Sequence, residues 1–232
     1  MTGTGAPEMT DGLADRLAVV RQRIAATGRA PADVVVVAVT KGFGVDAVEA
    51  AAAAGLADVG ENYAQELSEK WRAAPDDERR WHFLGRVQRN KVRTIAPAVY
   101  LWQGVDRVAA GEEIARRAPG ARVLVQVRID DDRSVAPARN GCAPGDVPAL
   151  VERLGGLGLD VRGLMAVGPP GAPELARPGF RRVSALADRL GLVERSMGMT
   201  DDLGVAVEEG STMVRVGRGL FGARPVAPKM RR

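Results

Sequence analysis

Lys41 stands where an apolar strand has no ordinary place for a charge. Residues 34–41 read VVVVAVTK, a run of β-branched and small residues followed by Gly42, Phe43 and Gly44. Apolar side chains on both faces mark a strand buried on both sides, as in a parallel sheet covered by helices. A lysine at its tip either leaves for solvent or is held for reaction. Partial burial favours the neutral amine that attacks carbonyl groups, which is what Schiff-base chemistry needs. Position alone leaves both readings open.

Two small-residue loops near the far end form a second signal. Ser196-Met197-Gly198-Met199-Thr200 ends one apolar segment, and Gly217-Arg218-Gly219 ends the next. Backbone N–H groups and hydroxyls in such loops can converge on an anion, and eight-stranded barrels frequently build phosphate sites after their last two strands. Either loop by itself could merely turn the chain. Together they suggest a phosphorylated ligand whose other end reaches Lys41. An imine-forming lysine with a phosphate cradle is the combination pyridoxal 5′-phosphate requires.

Arg215 is the third signal, inside the last apolar segment. An inward guanidinium is costly without a partner. A pyridine nitrogen is one candidate; an ion pair with Glu61 or Asp201, or an outward position on the wall, are others. His82, between Trp81 and Phe83, reads as a hydrogen-bonded core or rim histidine. Cys142 has no partner of the kind that makes a thiol reactive.

The elements that must position these groups alternate. An amphipathic helix carries Leu13, Leu17, Val20 and Ile24. Strands are predicted at 34–41, 57–62, 81–85, 98–103, 122–129, 161–167, 194–199 and 212–216, with helices between them. Asn62 falls at the end of strand two. Residues 130–145 read as a long rim loop. Eight short apolar strands with helical crossovers predict an α/β fold, a single (β/α)8 TIM barrel preceded by an N-terminal helix. Residues 1–10 are expected to be a disordered leader, 11–226 the barrel and 227–232 a disordered tail. No G-x-G-x-x-G follows the first strand, which argues against a dinucleotide fold.

Composition narrows the function further. The 232 residues are 46% hydrophobic and 27% charged, with one cysteine and one histidine. One cysteine excludes an internal disulfide, and one histidine excludes a multi-histidine metal site. No apolar run approaches the roughly 20 residues that cross a bilayer, and the start lacks a secretory pattern. A cytoplasmic protein without membrane partners is expected. The net charge is +4, and the densest basic cluster (Arg86, Arg89, Lys91 and Arg93) lacks interleaved aromatics. It reads as a solvated helix start, so no nucleic acid is expected, although an RNA-associated protein is the alternative this cluster would serve.

The blocks VAVTKGFG, DVGENYAQE, WHFLGRVQRNK, RGLMAV and SMGMTDDLGVAVEEGSTMVRVGRGLFGAR, in this order, resemble the pyridoxal-phosphate homeostasis proteins, a family similar to the N-terminal barrel of alanine racemase. The resemblance runs from about Leu13 to Arg224. It implies pyridoxal 5′-phosphate held as a Schiff base on Lys41, its phosphate on Ser196–Thr200 and on Gly217 and Arg218, Arg215 at the pyridine nitrogen, and Asn62 nearby. It implies a carrier and buffer in vitamin B6 homeostasis, with enzymes that require the cofactor as partners and no catalytic turnover. An amino-acid racemase of the same barrel type is the enzymatic alternative. Racemisation needs a second acid/base on the opposite face; in alanine racemase this is a tyrosine of a separate domain. Tyr63 and Tyr100 fall here in a helix and in strand four, so racemisation is expected to be weak or absent. A monomer is expected, because no long apolar helix face beyond the first is evident. The chain departs from the family at Gly42-Phe43-Gly44, where a second lysine is usual, at Arg86-Val87, and at Arg139-Asn140-Gly141.

Overall fold

The computed structural model describes residues 12–74, 78–129 and 140–223; the expected leader and tail lie outside them, as do residues 11, 75–77, 130–139 and 224–226 of the expected barrel span. Eight parallel strands close into a barrel in chain order. They are β1 (Val35–Val39), β2 (Asp58–Glu61), β3 (Arg80–Phe83), β4 (Val99–Val105), β5 (Arg122–Val127), β6 (Asp160–Ala166), β7 (Glu194–Ser196) and β8 (Met213–Val216). Closure is made by β1 against β8, with Val37 opposite Arg215. Helix α1 (Leu13–Ala25) precedes β1. The crossovers are α2 (Val45–Ala53), α3 (Ala64–Ala73), α4 (Arg89–Ile95), α5 (Val108–Arg117), α6 (Val147–Gly156), α7 (Arg177–Arg189) and α8 (Leu203–Glu208). A four-residue helix, α9 (Arg218–Phe221), follows β8.

Strand alternation sorts the side chains into two shells. Val36, Ala38, Val214 and Val216 face outward under the helices, while Val37, Leu101, Leu124, Met165 and Met213 fill the barrel. By the same alternation Arg215, two residues after Met213, points inward, and so does His82 between the outward Trp81 and Phe83. Helix α1 lays Leu13, Leu17, Val20 and Ile24 against α8, α9 and β8, all at 2% exposure or less. Each such side chain contributes roughly 1.5–3 kcal/mol on burial, so the apolar face of α1 is consumed within the chain.

The strands are shorter at the mouth than the sequence suggests. Lys41 lies two residues past β1, in a turn closed by Phe43 N–H donating to the Thr40 carbonyl (3.0 Å). β7 ends at Ser196, because the chain turns at Gly198 (φ +89). A Cβ there would stand 2.6 Å from the Ala206 Cβ, so only glycine fits. Of the expected loop at 130–145, residues 130–139 lie outside the described ones. Cys142 is not in open loop: it forms a parallel bridge with Val127, its N–H donating to the Gln126 carbonyl (2.9 Å).

Candidate functional site

A cavity of about 420 Å³ opens at the C-terminal ends of the strands. Six of the seven residues singled out from the sequence line it: Lys41, Asn62, Thr200, Arg215, Gly217 and Arg218. They come from both ends of the chain, joined by the β1–β8 closure. Ser196 does not line it; this fully buried residue stands beneath Arg215.

The seat of Lys41 is built by Thr40. The Thr40 N–H donates to the Gly60 carbonyl (3.0 Å) and its hydroxyl to Glu61 Oε1 (2.6 Å). Its carbonyl accepts from Lys70 Nζ (2.8 Å). Lys70, itself buried, also donates to Glu61 Oε1 (2.5 Å) and reaches Glu66 Oε2 (3.3 Å). Glu66 Oε2 in turn accepts the Gly42 N–H at 2.7 Å. The backbone on both sides of Lys41 is thus tied to one buried cluster. Burial pushes the Glu61 carboxyl above the usual range, against the pull of Lys70 and Thr40. This cluster was missed in the sequence reading. The signal was present: a glutamate ending a buried strand needs a cation, and Glu66 and Lys70 share a helix face at i, i+4.

The opposite wall carries Thr200, Gly217 and Arg218. The Gly219 N–H donates to Thr200 Oγ1 (3.1 Å), stitching the two glycine loops together. Accepting that bond leaves the Thr200 hydroxyl its own proton to donate. Arg23 of α1 holds this loop from behind, Nη1 donating to the Thr200 carbonyl (2.6 Å) and Nη2 to that of Asp201 (3.1 Å). A single nitrogen of Arg218, Nη2, reaches both carboxylate oxygens of Asp201, each at 2.6 Å.

Arg215 is 5% exposed. Its Nη1 donates to the Ser196 carbonyl (2.6 Å) and Ser196 Oγ (2.7 Å), and its Nη2 to the Ala166 carbonyl (2.8 Å). The considered ion pair with Glu61 or Asp201 is not made: Glu61 belongs to Lys70, and Asp201 to Arg218. Burial pulls the guanidinium down to about 10, with Asp202 pulling it partly back. It stays charged at neutral pH and borders a cavity with neutral oxygens as its partners, an arrangement that favours a ligand atom bearing a lone pair.

The remaining candidates separate. His82 is fully buried, with Nε2 on Asp58 Oδ1 (2.8 Å) and Nδ1 on Gln103 (2.8 Å). Tyr63 is exposed outside this cavity, and Tyr100 lies at the opposite end of the barrel beneath Arg122, 4.5 Å from its ring centre. Burial raises the Cys142 thiol to about 11, the reverse of what a nucleophile needs. Arg86, Arg89, Lys91 and Arg93 are exposed around α4, whose Val92 and Ile95 are buried.

The alanine racemase N-terminal domain family matches residues 10–225. A pyridoxal phosphate homeostasis protein of Pseudomonas aeruginosa is 40% identical over 220 residues, covering 93% of this chain and 96% of the relative. The chain belongs to the pyridoxal phosphate homeostasis protein family. PipY of Synechococcus elongatus, solved with PLP bound, superposes with a TM-score of 0.76 at 31% identity, over 90% of this chain and all of PipY. Alanine racemase of Corynebacterium glutamicum shares the fold, with a TM-score of 0.69 at 18% identity, over 94% of this chain and 62% of that one. Family membership and the barrel expected from the strand pattern therefore agree. Among the described residues no helix is long and apolar enough to cross a membrane.

Proposed function

We propose that this protein binds pyridoxal 5′-phosphate at the barrel mouth and holds and buffers it, with Lys41 as the covalent anchor. The observation that carries the reading is one cavity bordered by a primary amine, a buried guanidinium bonded to neutral oxygens, and a hydroxyl-and-glycine turn. Its volume of about 420 Å³ falls in the range of roughly 300–1,000 Å³ common for small-ligand sites. The residues fit the group.

When bound, the cofactor supplies an aldehyde that condenses with amines and a ring that withdraws electrons. Lys41 offers the amine, at a position set by the pinned backbone of Thr40. The Thr200 hydroxyl and the turn at Gly217–Arg218 face the phosphate end, while Asn62 borders the cavity on the β2 side. Arg215 would hold the ring nitrogen and, as an arginine, would keep its proton. Electron withdrawal by the ring stays weak in such company, which suits storage better than carbanion chemistry.

The reading is of a carrier without turnover. Neither tyrosine borders the cavity, and racemisation asks for an acid/base on each face of the bound amino acid. Enzymes that need the cofactor are the partners this function implies. The covered face of α1 supports a monomer, and the single thiol a reducing cytoplasm.

Purified protein given pyridoxal phosphate should acquire a visible absorbance band, and borohydride should fix the cofactor's mass on the peptide carrying Lys41. Lys41→Ala should remove both. An adduct that persists in Lys41→Ala, or a wild type that stays colourless, would overturn the assignment. Exchange of the α-hydrogen of L-alanine at enzymatic rates would replace the carrier reading with the racemase.

A further inference from the structure

Behind the cofactor site the barrel interior carries a polar file that extends well beyond the cavity lining. It starts at Arg215 on β8 and crosses to Ser196 on β7, whose hydroxyl donates to Gln103 Oε1 on β4 (2.7 Å). The Gln103 amide then meets His82 Nδ1 on β3, and His82 Nε2 meets Asp58 on β2, both at 2.8 Å. Asp58 also accepts a fork from Arg80, Nε to Oδ1 at 2.9 Å and Nη2 to Oδ2 at 2.5 Å. Five strands are joined, from the floor of the barrel to the mouth. His82, Gln103 and Ser196 are all 0% exposed.

Both ends of the file dictate the direction of every proton in it. Arginine has only donors, so the bond to Ser196 Oγ uses a serine lone pair and leaves the serine proton for Gln103 Oε1, 2.7 Å away. That orients the amide with Nε2 toward His82. Met213 fixes the same orientation independently: its sulfur lies 3.0 Å from Gln103 Nε2, and a thioether accepts but never donates. His82 Nδ1 must then accept, so the imidazole carries its proton on Nε2. An ionised carboxylate only accepts, so Asp58 terminates the file. Reversing one link would set two donors or two acceptors face to face in a dry core.

Resting on the cofactor reading above, we propose that Ser196, Gln103 and His82 are positioning residues for Arg215. The file anchors one edge of the guanidinium with bonds that run one way only, so the ring nitrogen meets a donor fixed in place. Residues one, two and three hydrogen bonds behind Arg215 thereby set how tightly the pyridine end is held. The anchor at Lys41 is independent of them.

The single histidine makes the file directly observable. In the apoprotein, nitrogen-15 spectra of the imidazole at mildly alkaline pH should show the proton on Nε2 and Nδ1 as an acceptor. A proton on Nδ1, or rapid averaging of the two tautomers, overturns the proposal with no variant and no cofactor needed. In the loaded protein, Ser196→Ala and Gln103→Met should weaken pyridoxal phosphate binding about tenfold, the scale of one hydrogen bond to a charged group. The ring-nitrogen resonance should shift, while the borohydride-fixed mass on the Lys41 peptide stays the same. Folded variants with wild-type affinity and an unmoved ring-nitrogen resonance overturn the proposal. A wild type that takes up no cofactor refutes the function instead, with the tautomer still deciding whether the file exists.

Discussion

The two walls of the cavity hold their functional groups by opposite means. On the β1–β2 wall, charge is packed behind the reactive residue: Lys70, Glu61 and Glu66 act on the backbone of Thr40 and Gly42 rather than on the lysine they serve. On the β7–β8 wall the functional group is itself the buried charge, and the dipoles around Arg215 are neutral. The difference follows from the tasks proposed for them. An amine that is to form and release a covalent bond needs a fixed backbone, whereas a guanidinium that only donates needs its own atoms fixed. Ion pairs supply the first and oriented oxygens the second.

The contrast is sharpest on removing the cation of the first wall. Lys70→Met leaves Glu61 buried at 0% exposure without its ammonium partner. The expected loss is about 3–5 kcal/mol of folding stability, the scale for breaking a buried pair from one side. Adding Glu61→Leu should restore much of it, because two well-packed apolar groups can replace a buried pair at little net cost. With unfolding by urea as the measure for all three variants, Lys41→Ala should be nearly neutral. A Lys70→Met protein as stable as wild type would mean that the cluster adds nothing to the first wall.

The next test uses pH, because Glu61, behind the first wall, and Asp58, which ends the polar file behind Arg215, are displaced in opposite directions. Burial holds Glu61 above the 4.5 of a free glutamate, outweighing Lys70 and Thr40. Its contribution to stability is therefore complete below pH 4.5 and is lost as the pH rises through its folded value. Burial would also raise Asp58, but the hydrogen bonds and charges of His82 and Arg80 outweigh it and hold it below 3.8. Its contribution is complete above pH 3.8 and is lost as the pH falls through its folded value. Glu61→Gln should flatten the decline above pH 4.5, by at most about 1.4 kcal/mol per pH unit for one proton, and leave the acid limb in place. Asp58→Asn should flatten the acid limb alone. Equal changes on both limbs for either variant would contradict the assignment.

How much of these walls could be read from the chain differs as well. Lys41, Thr200, Gly217 and Arg215 were legible because each breaks a local rule: a charge on an apolar strand, or glycines where a strand should continue. The eight-strand pattern supplied the geometry that brings them together. The supporting groups break no local rule. Gln103 sits in a strand of mixed character, Lys70 and Glu66 have the spacing common to exposed helix pairs, and Arg23 is one of three arginines on the first helix. Their roles depend on which face closure buries, and that is a property of the whole barrel rather than of any window of sequence. Ser196 shows the boundary clearly. Its place in a glycine loop suggested the cofactor, yet strand alternation turns its hydroxyl into the core, beneath Arg215.

The smallest effect is expected at the rim of the second wall, where its reliance on neutral partners ends. Arg218 reaches both carboxylate oxygens of Asp201 through one nitrogen, and the two side chains are 65% and 68% exposed. Water screens such a pair, and its worth is about 0–1 kcal/mol. Asp201→Asn should therefore leave the unfolding midpoint almost unchanged, yet release Arg218 toward the anion end of the cavity. Pyridoxal phosphate binding should tighten slightly and become more sensitive to salt, since an exposed cation attracts a phosphate through solvent. Binding that weakens in Asp201→Asn would mean that the pair works as a rigid unit holding Thr200 and Gly219 in place. In that event the rim would join the first wall, where a charge acts on backbone rather than on ligand.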